Sequence, residues 1–200
     1  MCIVVQVASA PLKEVIFDPK DADRLWCCNG VGVWTAKGLD GEPIVWQSVT
    51  AGIEDLVAQH VIKAPAGPIV GAVMDRSIFV IRDPDRYAER HHPDRRFRGG
   101  RVADFCASQP KHWAAVSTGK VMLSKDDGES WQWAAAQPAG ESMRTGTLAV
   151  AAGDPKVMAA IAENQRLYWT EDGGASWRSA SVPGQAAGTQ TLEADRVEAK

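Results

Sequence analysis

Short apolar runs, each ended by Gly, Pro, Asn or Asp, follow one another along this chain. KEVIFDP, AQHVIKAP, VADFCASQP and LAVAAGDP each close at a proline, and Pro19, Pro65, Pro110 and Pro155 recur at intervals of 46, 45 and 45 residues. A second run follows each: RLWCCNG, PIVGAVMD, HWAAVSTG and KVMAAIAEN. A third comes after it: GVWTA, SIFVIR, KVMLSKDD and RLYWTEDG. In three of the units a fourth run begins at a tryptophan, namely Trp46, Trp131 and Trp177. Short runs bounded by turn residues read as strands. Four strands in a period of about 45 residues is the pattern of β-propeller blades. No helical periodicity is long enough to compete with it. The expected fold class is all-β: about four blades of four antiparallel strands over residues 1–183, as a closed or a partial ring, with a flexible tail at 184–200.

Two octapeptides sharpen the repeat. SKDDGESW (Ser124–Trp131) and TEDGGASW (Thr170–Trp177) share the form Ser/Thr-x-Asp-x-Gly-x-Ser-Trp and stand 46 residues apart. Each falls where a third strand turns into a fourth. Asp126 and Asp172 are placed to accept backbone N–H groups inside the turn. Gly128 and Gly174 supply its positive φ. Trp131 and Trp177 supply a large apolar plug between sheets. Ser124 and Thr170 open the two turns. This chemistry is structural, and neither an acid pair nor a calcium site is read from it. The first unit has a worn version, WTAKGLDGEPIVW, and the second has none. The octapeptides resemble the Asp boxes of bacterial neuraminidase-type (BNR) repeats.

Composition removes several classes of function. A net charge of −3 gives no global attraction to nucleic acid. The one basic run, Arg86–Arg101, carries only Tyr87 and Phe97 as stacking aromatics and reads as a solvated loop. His91 and His92 are adjacent and have no Cys or His partner at ligand spacing, so no metal and no cofactor are expected. Cys2, Cys27, Cys28 and Cys106 form no CxxC pair; Cys27 and Cys28 point to opposite faces of a strand, so at most one is core. The N-terminal apolar run is too short for a signal peptide, and no stretch is long enough to span a membrane.

Three stretches together carry a family resemblance. They are IFDPKDADRLWCCNGVGVWT (16–35), the GIED segment with its Pro-Ala-Gly-Pro turn and VGAVMDRSIFVIRDPD (51–85), and the two octapeptide units (108–178). The order is similar to the family 74 glycoside hydrolases, the xyloglucanases and related β-1,4-glucan hydrolases, at the start of their second, C-terminal propeller. The resemblance implies a usually secreted, inverting hydrolase with two aspartates facing each other across a cleft between propellers. An inverting pair stands about 6.5–9.5 Å apart to admit a water. Asp75 matches the family's general acid, a role that needs a carboxyl held protonated in a poorly solvated site. The family's flanking glycines are replaced here by Met74, Arg76, Ser77 and Ile78, and Arg76 offers a pairing that favours the ionised form. The partner aspartate belongs to a first propeller. Asp18, Asp83, Asp85 and Asp104 read as turn or strand-end residues and do not replace it. Glu54 matches the GIED segment but has no assigned role.

Glucan grooves present aromatic faces to sugar rings. Trp26, Trp34, Trp113, Tyr168 and Trp169 lie on second or third strands, with Trp34, Trp113 and Tyr168 the substrate-binding candidates, although aromatic residues in blades more often pack between sheets. The expected partners are a polysaccharide and a second propeller or another copy of this chain. A hydrolase-like propeller incomplete by itself, a non-catalytic carbohydrate- or protein-binding propeller and a sialidase-like protein are the three readings. The last rests on the octapeptides alone; it requires an arginine cluster and a tyrosine nucleophile, and the chain has two tyrosines, Tyr87 and Tyr168.

Overall fold

The computed structural model describes residues 14–29, 32–51, 56–88, 91–92, 99–140, 142–180 and 191–196. The fold is all-β, with four antiparallel four-stranded sheets in chain order. It divides into two compact units, Met1–Asp55 with the first sheet and Leu56–Lys200 with the other three. The sequence had placed one propeller over 1–183.

The first sheet runs β1 (Glu14–Asp18), β2 (Asp21–Asn29), β3 (Gly32–Lys37) and β4 (Trp46–Ser48). Leu25, Cys27 and Ala36 are its buried residues, and Cys28 is half-buried, as expected of neighbours on a strand. Burial pushes the Cys27 thiol up from its ordinary pKa. Gly32 is required by a close approach: a Cβ there would stand 2.1 Å from Oγ1 of Thr50. That hydroxyl accepts the Val33 amide at 3.2 Å and donates to the Val33 carbonyl at 3.1 Å. The worn turn after β3 is closed from outside, since Asp23 on β2 accepts the amides of Gly38 and Leu39 at 3.0 and 2.7 Å.

In the second unit, sheet two holds β5 (Ala58–Lys63), β6 (Ile69–Val73), β7 (Ser77–Ile81) and β8 (His91–His92). Sheet three holds β9 (Gly100–Cys106), β10 (Gln109–Ser117), β11 (Lys120–Ser124) and β12 (Gln132–Trp133). Sheet four holds β13 (Thr147–Val150), β14 (Met158–Ile161), β15 (Leu167–Thr170) and β16 (Arg178–Ala180). Two expectations are corrected. Part of the basic run read as a loop is strand: His91 and His92 pair with Phe79 and Ile78. Pro110 lies inside β10 and does not end a run; the β9–β10 register shifts between Gln109 and Trp113, which leaves the missing proline N–H without a ladder partner to disappoint.

Sheet three is buried on both faces, which is why its runs are apolar without alternation. Phe105, Trp113, Ala115 and Met122 face Val70, Ala72 and Ile78 of sheet two. Val102, Ala114, Val116 and Val121 face Leu148, Val150, Met158 and Tyr168 of sheet four. Small residues set the spacing. A Cβ on Gly100 would lie 2.2 Å from the Ser77 carbonyl oxygen. Trp131 sits at the edge of the first interface and Trp177 at the edge of the second.

Candidate functional site

The two octapeptides form the same circuit of hydrogen bonds. In the first, Ser124 Oγ donates to Asp126 Oδ1 at 2.8 Å and accepts the Gly128 amide at 3.0 Å. Asp126 then accepts the amide and hydroxyl of Ser130 at 2.9 and 2.5 Å. In the second, Thr170 Oγ1 donates to Asp172 at 2.7 Å and accepts the Gly174 amide at 3.0 Å. Asp172 accepts the amide and hydroxyl of Ser176, again at 2.9 and 2.5 Å. The glycines take φ of 84° and 80°. The tryptophans diverge: Trp131 donates to Gly128 O within its own turn at 2.9 Å, whereas Trp177 reaches Ala136 O, in the bend that follows β12, at 3.1 Å. Bonds from Ser176 and Thr170 hold the Asp172 carboxyl far below its ordinary pKa. Burial pushes Asp126 up, but bonds from Ser130 and Ser124 more than offset it. Carboxylates saturated this way close turns and are poor acids.

Asp75 stands differently. It is half-exposed at the tip of the Met74–Arg76 turn between β6 and β7, where Val73 faces Ser77. The turn is pinned on several sides. Met74 donates to Val57 O at 2.9 Å and accepts the Gly99 amide at 2.6 Å. Ser77, at φ 76°, bonds hydroxyl to hydroxyl with buried Ser117 of sheet three. Asp75 Oδ2 accepts the Val57 amide over a long 3.5 Å. Burial depresses the Arg76 guanidinium from its ordinary pKa, opposed by the charge of Asp75. The geometry is a carboxylate on a rigid hairpin tip, lightly engaged by its surroundings. Glu54 lies outside the described residues.

Two of the proposed sugar platforms are core residues. Trp113 is 2% exposed, with its ring 5.1 Å from that of Phe105. Tyr168 is also 2% exposed, and its hydroxyl accepts Asn164 Nδ2 at 2.9 Å. Both rings face an interface between sheets: Trp113 packs between sheets two and three, and Tyr168 between sheets three and four. Trp34 is half-buried on β3, opposite Cys27 and Ser48. Trp26 is half-buried and tied to Asp18 Oδ2 at 2.9 Å, and Trp169 is half-buried on β15. Trp34 and Asp75 belong to different compact units.

The structure adds two places that sequence reading passed over. One is a groove of about 260 Å³ between sheets two and three. Arg82 crosses it to Glu129 and Asp127, and Tyr87, 82% exposed, stands at its side. The other surrounds Asp104, read from sequence as a strand-end or turn residue. It lies within β9, is 5% exposed, and accepts the Val150 amide at 2.7 Å. Arg196, inside the segment expected to be a tail, pairs with its other oxygen. His60 lines the same cavity, and its Nδ1 is buried with no hydrogen-bond partner among the described residues. Burial pushes the imidazole pKa down, against the charges of Asp104 and Glu193. No local pattern marks a pair separated by 92 positions. Among the described residues no three His, Cys, Asp or Glu gather as a metal site would require.

Comparison with known proteins bears on the whole arrangement. No family model matches the chain. A curated xyloglucanase from a Paenibacillus species is 25% identical over 188 residues, covering 86% of this chain and 18% of that protein. The GH74 xyloglucanase from Xanthomonas campestris superposes with a TM-score of 0.73 at 24% identity, over 92% of this chain and 27% of that one. A GH74 enzyme from Niastella koreensis gives 0.71 at 24% identity, over 92% and 26%. The fold is that of a GH74-like propeller. The β-propeller domain of Swd1 from Myceliophteria thermophila is more distant, at 0.52 and 11% identity over 95% of this chain and 65% of that one. This chain spans under a fifth of the length of the curated xyloglucanase and about a quarter of the GH74 structures.

Proposed function

We propose that this chain is a hydrolase-type propeller segment, related to the xyloglucan and β-1,4-glucan hydrolases, that supplies one carboxylate, Asp75, to a glucan-binding cleft. It corresponds to the start of a second propeller, and its octapeptide turns are Asp boxes that brace the blades. The observation that carries the reading is the Asp75 turn: a half-exposed carboxylate on a hairpin tip held by Val57, Gly99 and Ser117, in a chain whose relatives are xyloglucanases. The Asp-box carboxylates are consumed by their turns, and Asp75 is not. One carboxylate cannot act as acid and as base in the same inverting displacement. The chain therefore holds glucan without cleaving it until a second carboxylate faces Asp75 from another propeller.

The test is release of reducing ends from xyloglucan by the purified chain. None is expected. Release that disappears in Asp75→Asn would show that this chain completes the reaction by itself.

A second reading, a carbohydrate-binding platform without hydrolysis, is favoured by the Tyr87 groove. There an exposed ring adjoins Arg82, Asp83 and Glu129, a combination suited to a sugar face and its hydroxyls. Loss of xyloglucan binding in Tyr87→Ala, with binding kept in Asp75→Asn, would select it.

A further inference from the structure

The first strands of sheets two, three and four lie side by side, and residues 191–196 rest against them. This segment is in no sheet. Its sequence, TLEADR, is mostly polar, and Arg196 ties it to β9. The guanidinium meets three different surfaces. It pairs with Asp104, it donates from Nη1 to the Phe105 carbonyl at 2.9 Å, and its carbon lies 4.2 Å from the centre of the Phe105 ring. A carboxylate, a carbonyl and an aromatic face together suit a planar cation with several donors, and a lysine ammonium would satisfy them poorly.

The cradle is built into the fold. Asp104 is buried on β9, its Oδ2 committed to the Val150 amide, and its own Phe105 amide donates to Oδ1 at 2.9 Å. Phe105 is fixed by Trp113. A buried carboxylate needs a counter-charge. Here it comes from a segment that adds no strand and fills its surroundings loosely, for a cavity of about 270 Å³ remains beside Leu192, Glu193 and His60. Elements with few buried contacts are the first to open.

We propose that the Asp104–Phe105 cradle is a binding site for an arginine-bearing extended peptide, and that residues 191–196 are its occupant in cis. The tether raises the local concentration of Arg196, so an external peptide must displace it. The site is separate from the Asp75 turn and does not depend on glucan binding.

The experiment uses full-length Arg196→Gln and a fluorescent TLEADR peptide, read by anisotropy. The variant is expected to bind the peptide saturably and at least about tenfold more tightly than the wild-type chain, whose site is already filled. A TLEADQ peptide is expected not to bind. The double variant Asp104→Asn/Arg196→Gln, which removes both charges and keeps an oxygen for Val150, is expected to fold and not to bind. Should Arg196→Gln fail to fold, excess TLEADR added to the wild-type chain is expected to speed amide exchange in residues 191–196. Equal binding of TLEADR and TLEADQ would overturn the proposal. So would a folded Arg196→Gln that takes up no peptide at about 1 mM, a concentration that detects even feeble affinity. If that variant does not fold, unaltered exchange in the wild-type chain would do the same.

Discussion

The amide of Val150 donates to Oδ2 of Asp104 at 2.7 Å, joining the first strands of sheets three and four where no strand pairing does so. A side chain thus performs the work of a ladder bond across a blade boundary. Asp104→Ala removes the acceptor from a buried N–H and the counter-charge from Arg196, and should lower stability by about 2 kcal/mol. Asp104→Asn keeps the acceptor and should lose roughly half as much. Urea denaturation of the two variants separates them. Equal losses would mean that Val150 finds another partner.

Asp172 is a pH-dependent brace. Its carboxyl is held far below its ordinary pKa by the hydroxyl and amide of Ser176 and the hydroxyl of Thr170. The folded chain therefore resists protonating it more than the unfolded chain does. Its stabilisation is complete above the unfolded value of about 4 and fades as pH falls through the lower folded value. Thermal melts of wild type and Asp172→Asn should differ clearly near pH ~6, and the gap should narrow toward pH ~2. A gap that does not change with pH would assign the effect to geometry alone.

Trp113 and Tyr168 are packing residues. Trp113→Ala should cost about 4 kcal/mol, the usual range for truncating a fully buried large aromatic. Tyr168→Phe removes only the bond from Asn164 and should cost about 1 kcal/mol. Xyloglucan binding by Tyr168→Phe should match wild type in affinity electrophoresis. Selective loss of binding in this variant would assign the Tyr168 hydroxyl a contact with sugar and contradict a purely packing role.

Much of the architecture is legible in the chain because it repeats. Pro19, Pro65 and Pro155 fall at the turn between the first and second strands of sheets one, two and four, the paired octapeptides fall at the turn between the third and fourth strands of sheets three and four, and the apolar runs between them became strands. What escaped reading lacks a local sign. β8 is two histidines within a basic run, paired to β7 because the sheet needed a fourth strand and not because of propensity. Pro110 survives in β10 at a register shift. The aromatic candidates were ambiguous in principle, since an aromatic on a strand faces the core or the solvent according to its neighbours. Trp113 and Tyr168 lie in the packing between blades, and that packing is tertiary information. Asp75 was nominated through resemblance alone. The Asp104–Arg196 pair was not found, because nothing in either neighbourhood refers to the other.

Amide NMR during titration with a xylose-branched cellotetraose bears most directly on glucan binding at the Asp75 turn. The largest shifts are expected at Met74, Asp75, Arg76 and Ser77, with Val57 and Gly99 moving alongside them, and Asp75→Ala should abolish them. Shifts confined to Arg82, Tyr87 and Glu129, or no shifts at saturating sugar, would contradict a role for Asp75 in holding glucan.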